Sequence, residues 1–182
     1  MAISGGKYVT EAALGRVFIG NTAAAGVALP VETGVAVTFG LWNTSTDKYA
    51  IPLWLGMSYL SGTITIGGIC ISNQYCGFAI GTAAPLSAFA LATPKNALLS
   101  AGNASSMSFT ATTGTLTNAG TRVYMIGQGM QSATAQVGVA QMYHDFDGRI
   151  IVPPGNLIFV SENIVTTALY NISMAWSEVP IK

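Results

Sequence analysis

The run Val35-Ala36-Val37-Thr38-Phe39-Gly40-Leu41-Trp42, the polar stretch Asn43-Thr44-Ser45-Thr46-Asp47-Lys48 and the run from Tyr49 to Tyr59 decide the fold class. Val35, Val37, Phe39 and Leu41 alternate with Ala36, Thr38, Gly40 and Trp42, the two-residue period of a strand with one buried face. Beyond the polar stretch, Tyr49, Ile51, Leu53, Leu55, Met57 and Tyr59 again share one parity. Two such runs joined by turn formers predict a long hairpin. Pro52 has no amide proton to give a ladder, so its strand is expected at a sheet edge or with a bulge at that point.

Working outward, Ile64 and Ile66 share one parity and Ile69 and Ile71 the other, and a one-residue bulge at Gly67-Gly68 would return all four to one face. Shorter strands are expected at Tyr75 to Ile80, Met107 to Ala111, Thr121 to Ile126, Gln136 to Tyr143, Arg149 to Val152, Asn156 to Ser161 and Thr166 to Trp176. Turn formers such as Thr113-Gly114, Asn118-Ala119-Gly120, Asp147-Gly148 and Pro153-Pro154-Gly155 separate them. The one helical candidate, Ser87 to Ser100, is broken by Pro94 and is allowed a turn or two. The expected fold is therefore an all-β, antiparallel β-sandwich with at most one short helix. A jelly roll is the first choice; another sandwich, or a trimeric fibre-like domain, is the alternative. One domain spans residues 11–182, and Met1 to Thr10, glycine-bearing and poor in core residues, reads as a possible N-terminal arm.

Charge is scarce. Asp, Glu, Lys and Arg make up 8% of 182 residues, against about 25% in ordinary soluble domains. Area scaling gives a folded chain of this mass about 8,300 Å² of surface, or one charged side chain per roughly 600 Å². An interface of about 800 Å² per partner would meet one or two of them. Such a surface is cheap to desolvate, because burying unpaired charge is the largest penalty in association. We expect it to be covered by other subunits, in a homo-oligomer; a monomer coated with Ser, Thr and Asn is the alternative.

Seven basic and seven acidic residues cancel and form no basic stripe, so neither nucleic acid nor an anionic membrane is an expected partner. Cys70 and Cys76 are too few for a disulfide framework or a zinc site; buried free thiols are expected, with a local disulfide as the other reading. The first residues lack the basic and apolar regions of a secretory signal, which points to synthesis in a cytoplasm. Ala50 to Ile71 is long enough to span a bilayer, but its prolines, glycines and serines and its alternation read as strands instead.

Chemistry has little to work with. The one histidine, His144, has Asp145 and Asp147 as neighbours, but the three fall in an expected turn between strands. That placement offers neither a nucleophile with its base nor a recognised metal spacing. Glu11, Glu32, Glu162 and Glu178 are far apart and form no evident pair for glycoside hydrolysis. No catalytic, cofactor-binding or metal-binding residue is assigned, and the chain is not expected to be an enzyme. Trp42, Trp54 and Trp176 lie on expected strands; burial where subunits meet is favoured over a sugar-stacking platform. The sequons at Asn43, Asn103 and Asn171 are expected to stay unmodified.

Two stretches carry a resemblance. Gly40-Leu41-Trp42-Asn43, a polar turn and a strand ending Gly56-Met57-Ser58-Tyr59-Leu60-Ser61-Gly62-Thr63 form the first. Asp147-Gly148-Arg149-Ile150-Ile151-Val152-Pro153-Pro154-Gly155-Asn156, with a closing strand holding Trp176 and Glu178, forms the second. Together they resemble small virion proteins of tailed bacteriophages. The Val-Pro-Pro-Gly reversal is also similar to hairpins of cupin-like jelly rolls, whose metal-binding histidines this chain lacks. The phage resemblance implies a β-sandwich in the virion, made in the host cytoplasm. It would act as a cement or decoration protein on the major capsid protein or other virion proteins, or else in a head or tail fibre. It also favours a trimer, since decoration proteins commonly occupy threefold positions.

Overall fold

A computed structural model describes residues 8–64, 67–99, 102–129 and 141–181. Its elements begin with α1 (Val9–Ala13), β1 (Val17–Asn21), β2 (Val27–Ala28), β3 (Ala36–Val37), β4 (Gly40–Trp42), β5 (Lys48–Ser61) and β6 (Gly67–Tyr75). They continue with β7 (Leu86–Phe89), β8 (Lys95–Asn96), β9 (Ser108–Thr110), β10 (Gly114–Leu116), β11 (Thr121–Gly129), β12 (Gln141–Asp145), β13 (Asn156–Glu162) and β14 (Leu169–Pro180). A six-stranded sheet has the order β12-β5-β14-β1-β8 with β2 on β14, and a five-stranded sheet the order β11-β6-β13-β4-β9. A small third sheet has the order β3-β10-β7, and the pairings between these strands are antiparallel. The protein is an all-β antiparallel sandwich.

The main core fills the space between the two large sheets. Leu55, Met57, Ile172, Met174 and Trp176 enter it from one side and Leu41, Ile71, Phe109, Ile158 and Val160 from the other. Phe109 stacks on Trp176 with ring centroids 5.7 Å apart and meets Phe39 edge-on at 5.0 Å. A second core lies on the other face of the five-stranded sheet, where Val37, Trp42, Leu86, Phe89, Leu116, Leu157 and Phe159 are buried under the small sheet. Strand β13 thus sends Ile158 and Val160 one way and Leu157 and Phe159 the other, which is why it reads as an unbroken apolar run. On the outer face of the six-stranded sheet, Val17, Leu53 and Ala175 pack against Tyr8 and Ala12 of the α1 region.

The long hairpin is not formed. Strand β4 pairs with β13 and β9, whereas β5 pairs with β14 and β12, so the polar stretch between them carries the chain from one sheet to the other. Asn43 makes that crossing. Its backbone exchanges hydrogen bonds with Asn156 and Gly155 at the start of β13, while its fully buried Nδ2 donates to the carbonyls of Lys48 (2.9 Å) and Val152 (2.8 Å). Pro52 does sit at a bulge: the register passes from Ala175↔Trp54 to Trp176↔Pro52. The bulge also splits the expected parity, since Leu55 and Met57 face the main core while Ile51 and Leu53 face outward.

Other local expectations also change. Ser87 to Ser100, whose Ala- and Leu-rich composition suggested a turn or two of helix, is not helical but holds most of β7 and all of β8, with a bulge beside Ser87 that turns both Leu86 and Phe89 inward. The helix is α1 instead. Tyr75 to Ile80 ends a strand and turns, and Arg149 to Val152 contributes a single bridge from Val152 to Ala50. Ile64, Ile69 and Ile71 do share the main core, but 65–66 lie outside the described residues, and the register shifts found near β6 fall in β11, at Val123 and Ile126. Within the segment expected from Gln136 to Tyr143, 136–140 are likewise outside the description. Residues 1–7 of the expected arm are too, while Tyr8 to Thr10 belong to the α1 region on the six-stranded sheet. Both cysteines are free and buried, and burial pushes the Cys76 thiol up to about 11. No described helix is long and apolar enough to cross a membrane.

Candidate functional site

His144 and Asp145 are consecutive residues of β12, and strand alternation sends their side chains to opposite faces. They do not lie in a turn; that begins at Asp147 and Gly148, with φ of 49° and 71°. The His144 Nε2 is 2.6 Å from the Tyr124 hydroxyl, and its ring meets Phe146 edge-on. Asp145 Oδ1 instead accepts from the Tyr8 hydroxyl (2.8 Å) and the Asp147 amide (2.9 Å). Burial, then the Arg149 charge, hold the imidazole below its ordinary pKa, and burial raises that of Tyr124. The histidine is paired with a phenol rather than with a serine, threonine or cysteine, so no nucleophile–base pair forms there. Among the described residues, no group of three or more His, Cys, Asp or Glu is placed to hold a metal ion.

The glutamates that look unaccompanied along the chain are partnered in space. Glu178 is almost fully buried and accepts from the Ser105 hydroxyl (2.5 Å) and the Ser106 amide (3.1 Å), with Lys48 Nζ 3.6 Å away. Glu32 accepts from both Nε and Nη2 along one edge of the Arg122 guanidinium, which holds its carboxyl below the ordinary range. Glu162 is 6% exposed. Burial pushes the carboxyl up to about 7, the nearby Tyr170 phenol opposes that rise, and burial raises the phenol above its ordinary value. The sequence does carry a signal for the two buried acids: Glu162 continues the core-facing parity of Ile158 and Val160, and Glu178 that of Met174 and Trp176.

The three tryptophans are not brought together. Trp176 is in the main core and Trp42 in the second core, its Nε1 donating to the Gly77 carbonyl at 3.0 Å. Only Trp54 reaches the surface, stacked on Tyr143 with centroids 6.1 Å apart.

What the surface offers is apolar. Leu91 is 71% exposed and Leu99 77%, and both line a groove of about 770 Å³ along the 91–109 segment. Leu98 also lines it and lies close to Gly15, next to exposed Leu14. A second groove, of about 350 Å³, is lined by Tyr8, Val9, Ile19, Trp54 and Ala97 on the outer face of the six-stranded sheet. Of the nearby charges, Arg16 pairs with Glu11 at 3.7 Å and Lys48 with Glu178, while Lys95 lines the first groove. Comparison of the chain with family models, curated proteins and solved structures gives no match in any of the three.

Proposed function

We propose that this chain is a non-enzymatic structural subunit of a virus particle, a capsid decoration or cement protein that works as a homo-oligomer, with a trimer favoured. The observation that carries the proposal is the flank bearing Leu14, Leu91, Leu98 and Leu99. Exposed apolar residues grouped there, with the Arg16–Glu11 pair beside them, present surface that costs little to desolvate against another protein. The resemblance of two stretches to phage virion proteins supplies the particle.

Strand order supports the jelly-roll part of this reading. Paired across the sandwich, β12 and β11, β5 and β6, and β14 and β13 occupy matching positions in their sheets, and each pair is consecutive in the chain. Such double-sheet rolls occur in viral capsid proteins, and also in lectins. Light scattering on the purified protein tests the assembly, with an expected mass three times 18.8 kDa, and co-sedimentation with capsids tests the location. A monodisperse 18.8 kDa species that leaves capsids bare would overturn the proposal. One observation favours a second reading, a glycan- or receptor-binding module of a fibre: the stacked Trp54–Tyr143 pair at the surface. Glycan-dependent quenching lost in Trp54→Ala would select it.

A further inference from the structure

Strand β4 pairs with β13 only over Leu157 to Phe159, so the last residues of β13 need another neighbour on that side. Residues 29–34 supply it. Val31 forms a parallel bridge with Glu162, the Glu162 amide donates to the Pro30 carbonyl and the Glu32 amide donates to the Glu162 carbonyl, both at 2.8 Å. Leu29 anchors the segment in the main core, and the Glu32–Arg122 pair ties it to β11. Both backbone bonds meet at the residue whose side chain is a core-facing carboxyl.

We propose that residues 29–34 are a strap whose closure on β13 is set by the protonation of Glu162, held when the carboxyl is neutral and loosened when it is ionised. The groups around that carboxyl explain why. Tyr170 on β14 is a neutral phenol that favours the ionised form, and Tyr59 on β5 packs its ring against Tyr170. On β6 stands the Cys70 thiol, which burial first, then the Glu32 charge and to a smaller degree the Glu162 charge, hold protonated. The Arg122 guanidinium on β11 is engaged by Glu32, so the neighbourhood offers Glu162 a further acid on the strap and no uncommitted cation among the described residues. A buried carboxylate with no countercharge beside it among the described residues seeks water, and the strap is the short, singly bridged neighbour that can move to admit it.

The sign follows from linkage. The closed carboxyl titrates near 7 and an opened one near the ordinary 4.5, so opening becomes easier as pH rises through that window and levels off above it. Hydrogen exchange on the full chain at pH 5.5 and pH 8.0, corrected for intrinsic rates, reads this directly. Protection of residues 29–34 is expected to fall roughly thirtyfold between the two pH values, while β5 and β14 keep theirs. Glu162→Gln should leave strap protection independent of pH. Tyr170→Phe removes the phenol that favours the carboxylate and should move the fall to higher pH, which keeps the test open if Glu162→Gln does not fold. Strap protection flat with pH in the unaltered protein, the same fall in Glu162→Gln, an unshifted fall in Tyr170→Phe, or an equal fall in β5 and β14 would each overturn the proposal.

Discussion

Glu178 shows how one side chain organises a loop. Its carboxylate stands at the end of β14, buried, and takes hydrogen bonds from Ser105 and Ser106 while Lys48 supplies the countercharge. The same lysine donates to the Ser106 hydroxyl at 2.6 Å, so the loop before β9 is fixed from two directions. Glu178→Gln keeps the shape but turns an acceptor toward these donors into an amide and leaves Lys48 unpaired. The expected loss is about 2–4 kcal/mol of unfolding free energy, measured by urea titration. A loss below about 0.5 kcal/mol, the range of ordinary surface substitutions, would show that the carboxylate is not what holds the loop.

At the scale of elements, the polar stretch between β4 and β5 is the instructive case. Asn43→Ala leaves the carbonyls of Lys48 and Val152 and the Ser45 amide without their buried partner, and should cost about 2–4 kcal/mol. Asn43→Asp keeps the acceptor for Ser45 but sets a carboxylate against two carbonyls, so it should be at least as damaging. Equal thermal midpoints for Asn43→Asp and the unaltered protein would refute this account of the crossing. The existence of these strands was legible because alternation is a local property: β4, β5, β13 and β14 all announce themselves by parity or by apolar runs. Their partners were not legible. A polar stretch after an amphipathic strand looks the same whether the next strand returns in the same sheet or in the facing one, and the deciding hydrogen bonds, from Asn43 to Val152 and Asn156, span more than a hundred residues. Bulges hid other features. At Pro52 one reverses the outward parity, and others shift the register of β11 against β6, while the Ala- and Leu-rich composition of 87–100 masks its short strands. The buried acids stood in plain view on core-facing parity, but a carboxyl at a strand end also reads as a solvated cap until its neighbours in space are known.

For the whole molecule, the five-stranded sheet is the shared wall of two cores, so neither core can be lost without exposing that sheet. The six-stranded sheet differs, because among the described residues its outer face is covered by a five-residue helix and a small apolar cluster. The tryptophans sample these three environments one each: Trp176 the main core, Trp42 the second core and Trp54 the outer face. Variants that keep one tryptophan and replace the other two by phenylalanine would therefore turn each layer into its own optical channel. Trp176 and Trp42 should emit at short wavelength and resist iodide, while Trp54 should emit further to the red and be quenched. With the shared wall coupling the cores, the Trp42 and Trp176 signals should melt at one urea concentration, and a Trp42 transition well ahead of Trp176 would show the small sheet peeling off by itself. Bound to a particle, Trp54 would report on its own side of the subunit: loss of its iodide quenching would identify the outer face of the six-stranded sheet as turned toward a neighbour, and retained quenching would show that face still open to solvent.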